Sequence, residues 1–343
     1  MWLRSDNAAG VSEEILDALV SCNAGVAAPY GDDDLSRQLD ARLSAVFETP
    51  VVAYMVPSGT AANALALSSI AGPFDMIVCH QEAHAFGSEC GATDMFSGGA
   101  RFKPVPGAHG RIDAAAAADM LAGMAGPRDN TYRLGALTVT QLTEAGTLYQ
   151  PADLGALGAL ARKHGLRMHM DGARFANALA ALAVHPADIT WRVGVDVLSF
   201  GATKNGAMYA DAVVFFDPAL AEHFKRRLKR SGHDLSKTRF MAAQLLRYLE
   251  YDLWLRNARH ANAVARELGE LLARVPGADI LHPVEGNIVF AALPDRPVQA
   301  LAAAGIQFRS RGRLADGREW FRLVPSFRTD PQEVRALRRP LGL

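Results

Sequence analysis

Between about residue 50 and residue 220, short β-rich runs alternate with longer helical segments rich in Ala and Leu. That alternation is the pattern of a mostly parallel sheet covered by helices on both faces. The runs Val51–Val56, Met76–Cys79, Ala136–Thr140, Leu166–Asp171, Val195–Phe200 and Ala212–Phe216 predict strands; Ala61–Ile70, Ala114–Leu121 and Pro151–His164 predict helices. The last helix is clearly punctuated: Pro151 opens it, Lys163 and His164 place cations in its final turn, and Gly165 stops it. From Lys225 to Val275 the pattern is helical, and Tyr248–Ala273 has no Pro and no Gly before Gly269, which predicts one long helix leading away from the sheet. Beyond Gly277, the segments Ile280–Leu281, Ile288–Ala292, Gln307–Arg309 and Trp320–Val324 predict strands, with a helix over Val298–Ala304. At 343 residues the chain exceeds the usual single domain, so a large α/β domain over 1–250 with an N-terminal arm and a small α/β domain over 251–343 are expected.

The charge balance narrows the class of partner. Lys and Arg total 36 and Asp and Glu total 36, so no bulk field draws the chain to nucleic acid or to an acidic membrane. The three cysteines, Cys22, Cys79 and Cys90, are an odd set without framework spacing, which argues against a disulfide-stapled secreted protein. The opening Met-Trp-Leu-Arg-Ser-Asp-Asn7 turns polar after three residues, and no uninterrupted apolar run reaches membrane-spanning length. A cytoplasmic enzyme acting on a small molecule is expected.

Two strand ends carry the strongest chemical signal. Lys204 follows the apolar run Val195–Phe200 and lies in Ser199-Phe-Gly-Ala-Thr-Lys-Asn-Gly-Ala207, among residues too small to crowd a bound group. A lysine in that setting is suited to form a Schiff base. Asp171 ends Leu166-Arg-Met-His-Met-Asp, at the strand edge where open α/β sheets place ligands. A carboxylate there suits an aldehyde cofactor whose ring nitrogen must stay protonated, and pyridoxal 5'-phosphate meets that description. The segment Pro57-Ser-Gly-Thr-Ala-Ala-Asn63 follows a strand and opens a helix, so Ser58, Gly59 and Thr60 offer hydroxyls and free N–H groups to a phosphate. Alone it would be an ordinary helix cap; together with Asp171 and Lys204 it reads as a phosphate cradle. The run Cys79-His-Gln-Glu-Ala-His84, with Cys90 nearby, superficially resembles a zinc site, but matches neither His-Glu-x-x-His nor Cys-x-x-Cys spacing, and no metal is expected.

Arg4-Ser-Asp6, Tyr30-Gly-Asp-Asp33, Ser58-Gly-Thr-Ala-Ala-Asn63, Glu82-Ala-His84, His169-Met-Asp-Gly-Ala-Arg174, Thr203-Lys204 and Phe321-Arg-Leu-Val324 occur in the order of the markers of L-threonine aldolases. The chain resembles that family from about residue 3 to residue 330, in its low-specificity or phenylserine-cleaving branch. The resemblance implies the fold of type I pyridoxal-phosphate enzymes, with a mostly parallel seven-stranded sheet in the large domain. It implies a lyase that splits L-threonine, L-allo-threonine or L-phenylserine into glycine and an aldehyde. It implies further that His84 stacks on the cofactor ring and helps remove the β-hydroxyl proton, and that Arg322 grips the substrate carboxylate with help from Ser5 and Arg174. Tyr30, in this pattern, lies near the cofactor at a subunit boundary. A homodimer or homotetramer with shared active sites follows, in which a cation of Lys225–Lys237, such as Lys229 or Lys237, reaches the neighbour's phosphate. Several threonine aldolases carry a histidine where Leu142-Thr-Glu-Ala-Gly146 places Glu144, so Glu144 is expected to contact the substrate hydroxyl or hold a water. Another reaction of the same cofactor, transamination or β-elimination, and a binding protein that keeps the fold without turnover are the alternatives.

Overall fold

The structure, a computed structural model, describes residues 1–124 and 130–343. Seven strands form the larger sheet: β1 (Val52–Val56), β2 (Asp75–His80), β3 (Arg101–Val105), β4 (Arg133–Thr140), β5 (Arg167–Gly172), β6 (Val197–Phe200) and β7 (Asp211–Phe215), in the order β1-β7-β6-β5-β4-β2-β3. Only β7 runs against its neighbours, pairing antiparallel with both β1 and β6. The carboxyl ends of the other six strands therefore share one edge of the sheet, and β7 begins there. A sheet covered on both faces needs strands that are apolar throughout. The strands β6 and β7 are buried at every residue. The helix Gly59–Ile70 covers them with Ala61, Ala62 and Ala66, whose small side chains let it lie close.

Gly201 shows how tightly the strand ends meet. A Cβ at that position would come within 2.8 Å of the Ala173 backbone. The turn after β5 and the turn after β6 are thus drawn together, and with them the residues each turn carries.

The chain's last third builds a second sheet from β8 (Asp279–Ile280), β9 (Val289–Leu293), β10 (Ser310–Arg313) and β11 (Glu319–Leu323), in the order β10-β11-β9-β8 and antiparallel throughout. The helix Leu253–Leu272 supplies Val264, Ala265, Leu268 and Leu272 to its core. Leu3 from the chain's start is buried in the same core. Its N–H donates to the carbonyl of Gln307 at 2.8 Å, and its carbonyl accepts from the N–H of Val324 at 2.8 Å.

Two expectations are corrected. The single helix expected over Tyr248–Ala273 is two, Arg239–Tyr248 and Leu253–Leu272. Tyr251 (φ 48°) and Asp252 (φ 57°) adopt the left-handed conformation between them, so the break uses neither Gly nor Pro. Gln307–Arg309 is not a strand of the sheet; Gln307 bridges Trp2 instead, and the strand begins at Ser310. Two further differences are smaller: β3 had no expected counterpart, and the expected Val298–Ala304 helix begins earlier, spanning Asp295–Ala303. Among the described residues no helix is long and apolar enough to cross a membrane.

Candidate active site

A cavity of about 730 Å³ opens at the shared strand edge, between the two sheets. Its floor is the end of β5. Asp171 is buried there; its Oδ1 accepts from the N–H of Ala173 at 2.9 Å and its Oδ2 from Nδ2 of Asn63 at 2.8 Å. Lys204 enters from the turn after β6. Asp211, at the start of the reversed strand β7, accepts from the N–H groups of Ala202 (2.8 Å) and Thr203 (3.1 Å) and so fixes that turn. Burial and the nearby charge of Arg174 push the Lys204 amine below its usual range, against the opposing pull of Asp6, Asp171 and Asp211. An amine shifted in that direction spends more time neutral and nucleophilic.

The N-terminus of helix Gly59–Ile70 forms a second wall. Ser58 caps it, its Oγ accepting from the N–H of Ala61 at 3.2 Å, and Gly59 and Thr60 line the cavity. A Cβ at Gly59 would meet nothing within 4 Å, so the backbone there faces open space. Free N–H groups and the positive end of a helix suit an anion at this point.

The third wall carries two carboxylates around His84. The ring Nδ1 lies 2.8 Å from Oε1 of Glu89, whose side chain is fully buried. Nδ2 of Asn63 donates to the same Oε1 at 2.8 Å. On the other side, Oε1 of Glu144 accepts from the backbone N–H of His84 and from Oγ1 of Thr140, both at 2.8 Å. Oε2 of Glu144 and Oε2 of Glu89 are buried without a partner among the described residues. The bond to Glu89 raises His84 above the ordinary imidazole range, against burial, which lowers it. Burial, with the charge of Asp171, pushes Glu144 up to about 7.

The roof comes from the N-terminal segment and the second sheet. Arg322 on β11 stands opposite Phe290 on β9, and both line the cavity with Trp320 and Ser5. Burial, and then the charge of Arg174, lower the Arg322 guanidinium to about 10. Arg174 is engaged elsewhere: its Nε and Nη2 donate to the two carboxylate oxygens of Asp6 at 2.7 and 2.8 Å. Asn287 also donates to Asp6, at 3.0 Å. Of these two arginines, Arg322 is the one whose guanidinium is left to meet a carboxylate; Arg311 also lines the cavity.

Ser5, Ser58, Gly59, Thr60, His84, Glu144, Asp171, Arg174, Lys204 and Arg322 thus share one cavity. Tyr30 does not. It is exposed, its N–H donates to the carbonyl of Ser236, and the amine of Lys229 sits 4.5 Å from its ring centre. Tyr30, expected near the cofactor at a subunit boundary, lies outside the cavity that this chain lines by itself. Both ring nitrogens of His80 are taken, by the carbonyl of Gly107 and the N–H of Glu82. Sequence reasoning gave no role to Asp6, Asn63, Glu89, Asp211 or Asn287. Asp6 and Asn63 stand inside recognised motifs, which could have marked them; Glu89 has no such signal.

The donor set fits pyridoxal phosphate on three counts. An amine of lowered basicity, a buried carboxylate and an open helix N-terminus face one space, as the aldehyde, ring nitrogen and phosphate of that group require.

Comparison with known proteins agrees. The family model for the beta-eliminating lyases matches residues 3–295. A low specificity L-threonine aldolase of Pseudomonas aeruginosa is 39% identical over 340 residues, covering 99% of this chain and 96% of the relative. One from another Pseudomonas strain is 38% identical, covering 89% of this chain and 87% of the relative. The solved structure of a Leishmania major threonine aldolase superposes with a TM-score of 0.92 at 24% identity, covering 99% of both chains, which speaks for the fold. This chain belongs to the low-specificity L-threonine aldolases, pyridoxal-phosphate-dependent lyases within the beta-eliminating lyase family.

Proposed function

We propose that this chain cleaves L-β-hydroxy-α-amino acids of more than one kind, L-threonine, L-allo-threonine and L-phenylserine among them, into glycine and an aldehyde. The meeting of Lys204, Asp171 and Arg322 in one cavity carries this reading. Bound pyridoxal phosphate supplies an electron sink for the pair released when the bond between the α- and β-carbons breaks. Lys204 would hold the cofactor through its aldehyde, Asp171 would keep its ring nitrogen protonated, and Ser58, Gly59 and Thr60 would bind its phosphate. Arg322 takes the substrate carboxylate as a planar pair, with Ser5 beside it. That grip turns the α–β bond to the orientation in which it breaks. Arg174 acts at one remove, because its clamp on Asp6 shapes the wall that Arg322 and Lys204 share. His84 takes the β-hydroxyl proton and Glu144 holds the hydroxyl or a water next to it.

The sequence divides at residues 1–250 and 251–343 in this reading, and the protein acts in the cytoplasm as a homodimer or homotetramer. Tyr30 and Lys229, paired on the surface, are the residues offered to a second copy's site. Sedimentation giving a fully active monomer would sink the shared site.

The decisive experiment compares absorbance of the wild type and Lys204→Ala, then adds L-threonine and phenylserine with separate assays for glycine and aldehyde. A visible band that depends on Lys204, with both products formed, is expected. A band with a keto acid and no glycine points to transamination or β-elimination instead.

A further inference from the structure

Glu89 follows His84 by five residues and has no role in the reaction so far. Its side chain is completely buried, with one oxygen used twice and the other unpartnered among the described residues. Leaving a carboxylate oxygen in that condition is costly, so its position calls for a reason. Asn63 supplies the first part. Its amide nitrogen donates to Oε1 of Glu89 and to Oδ2 of Asp171, both at 2.8 Å. Turning the amide round would set its carbonyl against two acidic oxygens. Asn63 therefore fixes Oε1 of Glu89 as an acceptor. The ring nitrogen that meets this acceptor, Nδ1 of His84, must bring the hydrogen.

We propose that Glu89 is a positioning residue for the cleavage: by accepting from Nδ1 it holds His84 in one orientation and one tautomer, which leaves Nε2 to receive the substrate's β-hydroxyl proton. The inference rests on the aldolase reading. The logic is that of a carboxylate orienting a histidine base. In the step itself the O–H bond breaks and its proton bonds to Nε2. The O–H electron pair becomes the second carbon–oxygen bond of the aldehyde. The α–β bond breaks with its pair on the α-carbon side, where a proton from solvent completes glycine, and Nε2 returns its own proton to solvent.

The charged groups around His84 act in one main direction. Glu89 and Asp171 raise its basicity, while burial and Lys204 lower it. Glu144 engages the backbone N–H, and Glu82 shares the cavity wall. The raised group is neutral, and so able to accept a proton, only above its folded pKa; activity should fall as the pH drops through that value.

The test is nitrogen-15 NMR of labelled histidines in the cofactor-loaded protein and in protein stripped of cofactor, beside pH profiles of kcat/KM. The wild type should show His84 with hydrogen on Nδ1. Glu89→Gln keeps the acceptor, because Asn63 holds the new amide the same way round, but removes the charge. Its His84 pKa and the acid limb of its profile should both move to lower pH. Glu89→Ala loses acceptor and charge, so the tautomers mix and kcat falls by about 100-fold or more with KM little changed. Hydrogen on Nε2 in the wild type, or a His84 pKa unmoved in Glu89→Gln, overturns the proposal. So does a wild-type pH profile in Glu89→Ala. The Gln variant is isosteric, which keeps the test valid should the Ala variant misfold. If the NMR results hold while neither threonine nor phenylserine yields glycine, the aldolase reading fails and Glu89's orientation of His84 stands.

Discussion

Two carboxylates in one cavity are treated in opposite ways. Asp6 is fully buried, which alone would raise it, yet the charge and hydrogen bonds of Arg174 bring it down to about 2. Glu144 is also removed from water, but its donors are a backbone N–H and a hydroxyl, and the charge nearby is that of Asp171; it rises to about 7. The difference lies in the partner. A guanidinium meeting both oxygens makes a permanent anion, whereas neutral donors beside another carboxylate leave a group that exchanges a proton near neutrality. Asp6 belongs to the framework and Glu144 to the chemistry.

Removing Asp6 should produce the largest effect on folding. Asp6→Ala strands Arg174 and Asn287 inside the protein, and the unfolding free energy should fall by about 3–5 kcal/mol, measured by chemical denaturation. A loss below about 1 kcal/mol would mean that Arg174 finds another anion and would erase the contrast. The next test uses pH. Glu144's folded value lies above its unfolded one, so its contribution is fully present below about 4.5 and is lost as the pH rises through about 7. Glu144→Gln, which cannot ionise, should therefore gain stability relative to wild type by about 2–4 kcal/mol between pH 4.5 and pH 8. A gap that stays constant across that range would place Glu144 among the ordinary carboxylates. Asp6 has the reverse sign: its contribution is present above about 3.8 and disappears as the pH falls through about 2. The smallest effect belongs to Asn287→Ala, which leaves the ion pair but removes one donor to Asp6 and should cost about 1–2 kcal/mol in the same denaturation assay.

How readable each part was in the sequence follows from how local its cause is. Lys204 and Ser58–Thr60 sit just after strands and Asp171 at the end of one, so hydrophobic patterning and neighbouring small residues were enough to mark them. The partners that tune the site are far away in sequence. Asp6 and Arg174 are 168 positions apart, and Asn63 and Asp171 are 108 apart. No periodicity registers such a pairing; Glu89, although only five residues beyond His84, stands in no motif that would mark it. The same reasoning covers the fold. Six runs between residues 50 and 220 announced strands because their apolar character is intrinsic. The break after Tyr248 was hidden because the left-handed turn is made by Tyr251 and Asp252, residues that do not advertise it. Gln307 looked like strand because it does extend; its neighbour is the chain's own beginning, which local sequence cannot name.

Another long-range pairing, between Asp6 and Asn287, gives the molecule a timetable. Asn287, which completes the shell of Asp6, is made 281 positions after it. At about 5–20 residues per second, roughly 15 to 55 seconds pass between them. Only after Phe215 have the residues of all seven strands, with Lys204 and Asp171 among them, been made, and the segment that roofs them is then still to come. A ribosome paused near residue 250 would display an open cofactor shelf with no grip on a substrate carboxylate.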